Sequence, residues 1–301
     1  MQETVLRPIP VFLYFGLGIL LKKLKFAAPA HGDFLLKFVF FITLPALILL
    51  TLSKTPISPQ TLSLPFINIA VNISCMLCAL FVSKFMNLER KTLGAMLVNT
   101  MIVNNAFMFP FILAGFGGEG FAIAVLFDFG NAVMTATWTY ALACKYGGAA
   151  QTSRSMIMKV VTAPLFWALA LAIILSVSST LLPAIAVSFL EPLGQMNAPL
   201  ILISLGIFFT PRLFHWKLVS ITLFIRMLLG LLIGGCIATL MGLEGVTFAV
   251  VALCSAAPIG FSALTYSSLA KLDVEYTSSA VSLSILIGVI YIPILMYVFR
   301  P

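Results

Sequence analysis

The stretch NTMIVNNAFMFPFILAGFGGEG, residues 99–120, is apolar enough to be buried, yet it carries adjacent amides at Asn104 and Asn105, a proline at Pro110 and a glycine cluster. Proline lacks an amide donor and blocks the carbonyl one turn back, so a helix through this stretch is interrupted. Backbone groups freed in that way are tolerated in hydrocarbon only where protein or a water-lined cavity satisfies them. A second such stretch, Cys254 to Leu272, holds Pro258, Gly260 and several hydroxyls. Two interrupted apolar segments at corresponding places in a chain point to a transporter binding site near the membrane midplane.

Of the 301 residues, 61% are hydrophobic and 9% charged, against roughly 45–50% and 25% in soluble globular domains. That composition excludes a soluble enzyme. No segment is polar enough to form a separate catalytic or sensory domain, and none has the low hydrophobicity of a disordered region. The net charge of +8 would suit nucleic acid in a soluble protein, but here the basic residues flank apolar runs, where they set orientation in a lipid bilayer; no nucleic-acid partner is expected. Cys75, Cys78, Cys144, Cys236 and Cys254 lie in or beside apolar segments. Cys75-x-x-Cys78 lacks the further ligands zinc needs, so these cysteines are expected to be small packing residues and no metal is expected. The first apolar run is followed, not preceded, by Lys22, Lys23 and Lys25, which makes it a span and not a signal peptide.

About 20 apolar residues cross roughly 30 Å of hydrocarbon. Spans are accordingly expected near 8–22, 34–52, 62–84, 92–117, 119–143, 157–179, 183–210, 216–241, 245–270 and 275–299. In the seventh, Glu191-Pro192 and Asn197-Ala198-Pro199 are expected to separate a short amphipathic piece from a span. Odd-numbered loops then hold twelve basic residues: Lys22, Lys23, Lys25, Lys84, Arg90, Lys91, Lys145, Arg154, Lys159, Arg212, Lys217 and Lys271. Even-numbered loops hold only Lys54, and Arg7, Lys37, Arg226 and Arg300 complete the set. Because Lys and Arg mark the cytoplasmic side, ten spans with both termini outside are the consistent solution, in a bacterial inner (plasma) membrane.

Dividing the chain at the polar segment Lys145 to Ser155 gives residues 1–150 and 151–301, five expected spans each. An odd number of spans forces the second half to enter the membrane upside down. The expected fold is therefore an all-α polytopic membrane protein, ten transmembrane helices in a 5+5 inverted repeat, with the fourth and ninth helices broken and both halves forming one transport unit.

The stretch Asn104 to Pro110, followed by Phe116-Gly117-Gly118-Glu119-Gly120 and Leu126-Phe127-Asp128, resembles the auxin efflux carrier family, which includes plant auxin carriers and bacterial malate-type permeases. The second half is similar to that family as well: Ala257-Pro258, Leu269-Ala270, a Ser-rich last helix and Tyr291-Ile292-Pro293. The resemblance covers nearly the whole chain. It implies a bile-acid-symporter-like fold in which a panel part moves against a core part containing two crossed, broken helices. The family's commoner form places an Asn seven residues before the proline; here Asn104 and Asn105 stand six and five before Pro110, which leaves open which of them faces substrate. The long cytoplasmic loop of the plant carriers is absent, which argues against auxin as the substrate.

Few charges are expected deep in the membrane. Asp128 lies well inside the fifth span, where a charge costs on the order of 2.5–3.5 kcal/mol on insertion scales. Asn131 and Thr135 follow on the same helix face. This group is either a proton or cation site beside the broken helix or a carboxylate that pins the break. Arg226 shares a face with Gly230 and Gly234, a small-residue packing surface, so it faces protein or a cavity. Its guanidinium could attract an organic anion, pair with Asp128, or extend to an interface. Asn68 and Asn72 sit one turn apart, as do Ser278 and Ser282, and interhelical hydrogen bonds explain such pairs without any ligand. The candidate substrate-binding set is Asn104, Asn105, Pro110, Pro258, Ser262 and Arg226, with Asp128, Asn131, Asn68 and Asn72 in coupling or supporting roles. Lys37, His31 and His215 are given no chemistry.

These features fit a secondary transporter of a small organic anion such as a carboxylate, working by alternating access at a helix crossover and needing no cofactor. Efflux is what the family resemblance implies; coupling to a proton, to a sodium ion or to the membrane potential stays open, and a homodimer is compatible with the sequence. A passive anion channel and a sodium-coupled symporter are the alternatives. An intramembrane enzyme fares poorly, since the chain has no His-Glu-x-x-His, Gly-x-Ser-x-Gly or P-loop sequence.

Overall fold

A computed structural model describes residues 9–56, 58–148, 158, 162–209 and 214–299. Arg7, Arg154, Lys159, Arg212 and Arg300, which entered the charge count, lie outside them. Among the described residues the secondary structure is helical apart from one isolated bridge. In chain order the helices are α1 (Ile9–Lys23), α2 (Pro29–Leu52), α3 (Pro59–Ser83), α4 (Arg90–Met101), α5 (Asn105–Gly147), α6 (Pro164–Val177), α7 (Ala184–Phe208), α8 (Trp216–Leu240), α9 (Gly245–Ser255), α10 (Ser262–Leu269) and α11 (Val274–Val298). Six of them, α2, α3, α5, α7, α8 and α11, are long and apolar enough to cross a membrane, while α6 and α9 are shorter apolar helices.

Local sequence accounts for the irregularities. Gly117 adopts φ 65° and ψ −159°, which splits α5 where the fourth and fifth spans were expected to part; a Cβ would be strained there. The expected division of the seventh span occurs at Met196, a single turn residue between Ala184–Gln195 and Asn197–Phe208, and Pro192 and Pro199 are both accommodated within helix. Three π-helical turns interrupt longer helices, at Val39–Thr43 in α2, Thr135–Thr139 in α5 and Phe224–Leu229 in α8. Such turns widen a helix locally and are frequent at functional positions.

The chain forms two compact units. One comprises Met1–Leu62, Ala106–Val125 and Val161–Phe209. In it α1 crosses α7 at Gly18 and Gly206, where a Cβ on either residue would run into the other helix's backbone. Polar links join its helices: Ser204 Oγ donates to Gly32 O (2.7 Å), Ser176 Oγ to Thr55 O (2.6 Å) and Lys22 Nζ to Phe209 O (2.8 Å). The other unit comprises Ser63–Asn105, Leu126–Val160 and Thr210–Pro301. Here α5 approaches α3 at Gly130, whose missing Cβ leaves room for Pro65 O, and Gly147 does the same for Ala270 O. Asp273 caps α11 by accepting from Tyr276 N (3.0 Å) and also accepts from Thr92 Oγ (2.9 Å), tying α11 to α4.

Candidate functional site

Between α4 and α5 the chain leaves the helix over Ile102, Val103 and Asn104, and between α9 and α10 over Ala256 to Phe261. The second break contains Pro258, as the sequence suggested. The first does not contain Pro110, which lies inside α5 five residues after its start; it removes the amide that would bond the Ala106 carbonyl. The interruption therefore falls upstream of the proline, because pairing with the other broken helix, and not the ring itself, ends α4.

That pairing is an antiparallel bridge between Val103 and Ile259. Asn104 N donates to Pro258 O (2.8 Å) and Gly260 N to Ile102 O (3.0 Å). A Cβ at Gly260 would stand 2.8 Å from Val103 O, so glycine permits the close approach. Side chains satisfy the remaining amides. Val103 N donates to Asn131 Oδ1 and Asn131 Nδ2 donates back to Val103 O, both at 3.4 Å. Ile259 N donates to Ser284 Oγ (3.1 Å). Asn131 lies on α5, which follows the first break, whereas Ser284 lies on α11, one helix beyond the α10 that follows the second. Buried backbone in a membrane protein needs such partners.

Two polar clusters flank the bridge. In the first, Asp128 Oδ1 accepts from Asn105 Nδ2 and from Asn131 Nδ2, both at 2.8 Å, and Thr135 Oγ1 donates to Asn131 Oδ1 at 3.4 Å. The polar face expected from Asp128, Asn131 and Thr135 is thus a connected network reaching the first residue of α5. Asn105 is 2% exposed and Asn104 5%, whereas Asp128 is only partly buried.

In the second, Arg226 lies in the π-turn of α8 and is 0% exposed. Its Nη1 donates to Asn72 Oδ1 (2.9 Å) and Thr100 O (3.0 Å), and its Nη2 to Ser255 O (2.7 Å). Asn72 Nδ2 in turn donates to Asn68 Oδ1 (2.8 Å). Gly230 and Gly234 do form the small-residue face: a Cβ at Gly230 would stand 2.5 Å from Ser255 O, and one at Gly234 would overlap the Ser255 hydroxyl. Arg226 does not pair with Asp128; among the described residues, the ion pair is Lys37 with Asp33 (2.7 Å).

Ser262, the first residue of α10, is exposed. Ser278 is partly buried and Ser282 buried, one turn apart on α11 as expected. Ser284, Thr100 and Ser255 were not anticipated as contributors. The last two act through backbone carbonyls, which no side-chain pattern marks. A separate cavity of about 760 Å³, lined in part by Asn87, Glu89, Thr92, His215, Asp273 and Glu275, includes no residue of the crossover.

Residues 5–296 match the membrane transport protein family. The chain is 26% identical over 297 residues to an uncharacterized transporter of Methanothermobacter thermautotrophicus, with 97% of this chain and 96% of the relative covered. It is also 26% identical over 267 residues to an uncharacterized transporter of Methanocaldococcus jannaschii, covering 83% and 84%. With apolar helices long enough to cross a bilayer and a match along nearly its whole length, the chain belongs to the membrane transport protein family, that of the auxin efflux carriers.

Proposed function

We propose that the protein is a secondary carrier of a small organic anion such as a carboxylate, working by alternating access at the helix crossover. In this reading ten spans form a 5+5 inverted repeat, residues 1–150 and 151–301, in a plasma membrane with both termini outside. The observation that carries it is the Val103–Ile259 bridge, through which two interrupted helices meet. The bridge leaves the N-terminus of α5 at Asn105 and that of α10 at Ser262. Each helix N-terminus presents about half a positive charge, which favours an anion. Asn131 of α5 and Ser284 of α11 each accept from a backbone amide of the bridge, which holds the two interruptions together.

Asn104, Asn105, Pro258 and Ser262 are the proposed substrate contacts, since an amide donates to a carboxylate without bringing a second full charge into the site. Pro110 supports the site by freeing the Ala106 carbonyl. Asn68, Asn72 and Arg226 act on it indirectly, through the helix ends that Arg226 holds. Asp128, bonded to Asn105, would repel an arriving anion unless it takes up a proton, which makes a proton the coupling ion. No cofactor is required.

The test is flux in liposomes containing the purified protein, with malate and monocarboxylates offered under imposed proton, sodium and electrical gradients. Saturable flux driven by the proton gradient is expected, and Asn104→Ala or Asn105→Ala should weaken substrate binding several-fold. Non-saturable flux indifferent to gradients would instead establish a channel. Normal binding and transport in both alanine variants would remove the site assignment.

A further inference from the structure

The guanidinium of Arg226 sits where two helices end. Thr100 O belongs to the last turn of α4, and Ser255 O is the last carbonyl of α9. Carbonyls in a final turn have no intrahelical partner, and each helix C-terminus carries about half a negative charge. Two such ends converging in one buried place amount to roughly one negative charge, and they meet one positive charge held at 2.7–3.0 Å. Asn72 Oδ1 completes a three-oxygen set around the guanidinium. In transporters with broken helices, unwound carbonyls and half-helix C-termini are the groups that coordinate a coupling cation.

We propose that Arg226 is a tethered cation occupying the place between the α4 and α9 C-termini that a coupling metal ion would otherwise take, so the crossover needs neither sodium nor potassium. Gly230 and Gly234 are what make this possible, since a Cβ at either would push α8 away from Ser255. The inference deepens the carrier reading and rests on it for transport alone; its effect on stability does not depend on any substrate.

The experiment melts the full-length protein in detergent, followed by tryptophan fluorescence. The wild type should melt at the same temperature in sodium, potassium or choline chloride. Arg226→Ala removes the charge and opens a cation-sized space facing Thr100 O, Ser255 O and Asn72 Oδ1. It should melt lower, and guanidinium ion at about ten times its dissociation constant should recover roughly 3–6 °C, with tetramethylammonium recovering none. In liposomes the same variant should acquire a dependence of transport on guanidinium or sodium that the wild type lacks. If Arg226→Ala does not fold, Arg226→Lys and the wild type carry the test: the lysine variant should stay insensitive to sodium because its charge remains.

Stabilisation of the wild type or of Arg226→Lys by sodium over choline would overturn the proposal, as would an Arg226→Ala variant that recovers equally with any cation or with none. A wild type that transports no carboxylate but gives the expected melts would remove the carrier reading and still support the tethered cation.

Discussion

Replacing Ser284 by alanine isolates the energetic worth of the crossover's side-chain support. The Ser284 hydroxyl accepts from Ile259 N at 3.1 Å, and both residues are fully buried, at 0% exposure. Ile259 lies in the break between α9 and α10, so no helical carbonyl is in place to take over its amide. Alanine therefore leaves a buried donor unsatisfied, which costs about 1–3 kcal/mol. The hydroxyl also donates to Val281 O (2.7 Å), but that carbonyl is within α11 and already serves its ladder, so this loss adds little. At ~2–4 °C per kcal/mol for a chain of this order of size, the apparent melting temperature should fall by about 4–8 °C at the middle of that range. The assay is a tryptophan-fluorescence melt at a single heating rate, since membrane proteins unfold irreversibly. Ser284→Thr, which keeps the hydroxyl, should lose less. Ser220→Ala, which removes an exposed hydroxyl bonded only within its own helix to Trp216 O, should stay close to wild type. A Ser284→Ala melt within 1 °C or so of wild type, or an equal loss in Ser220→Ala, would refute the claim that Ser284 holds the bridge.

Three other outcomes are expected. Cysteines placed at the exposed positions Lys54 and Asn87, in a Cys-free background, should react with an impermeant reagent from opposite sides of the membrane; labelling from one side would contradict the span order between them. Asp128→Asn keeps the side chain's shape but fixes its charge at zero, so gradient-driven accumulation in liposomes should be lost while exchange of substrate persists; an unchanged pH dependence of transport would make Asp128 structural. Gly230→Ala places a Cβ 2.5 Å from Ser255 O and 3.0 Å from Arg226 Nη2 and should destabilise by about 1–3 kcal/mol, whereas Gly235→Ala, with nothing within 4 Å, should melt like the wild type.

The sequence by itself determined what depends on neighbours along one helix. Apolar runs marked the six long apolar helices, because transfer into hydrocarbon acts residue by residue. Asp128, Asn131 and Thr135 could be placed on one face, and Arg226 with Gly230 and Gly234 on another, because spacing along a helix fixes direction. Pro258 correctly marked one break, since the missing amide is a local property. Only the tertiary structure decided the rest. The first break lies at Ile102–Asn104 and not at Pro110, because α4 ends where its backbone pairs with Ile259 and Gly260, residues far away in the sequence. Ser284 was one of several hydroxyls on α11 until its position opposite Ile259 N set it apart. Arg226 was compatible with an anion, with Asp128 or with an interface, and its acceptors proved to be Asn72 and two helix-end carbonyls. Carbonyls are present at every residue, so no residue type announces which will be orphaned by a helix end; that choice is made when distant helices terminate beside one another.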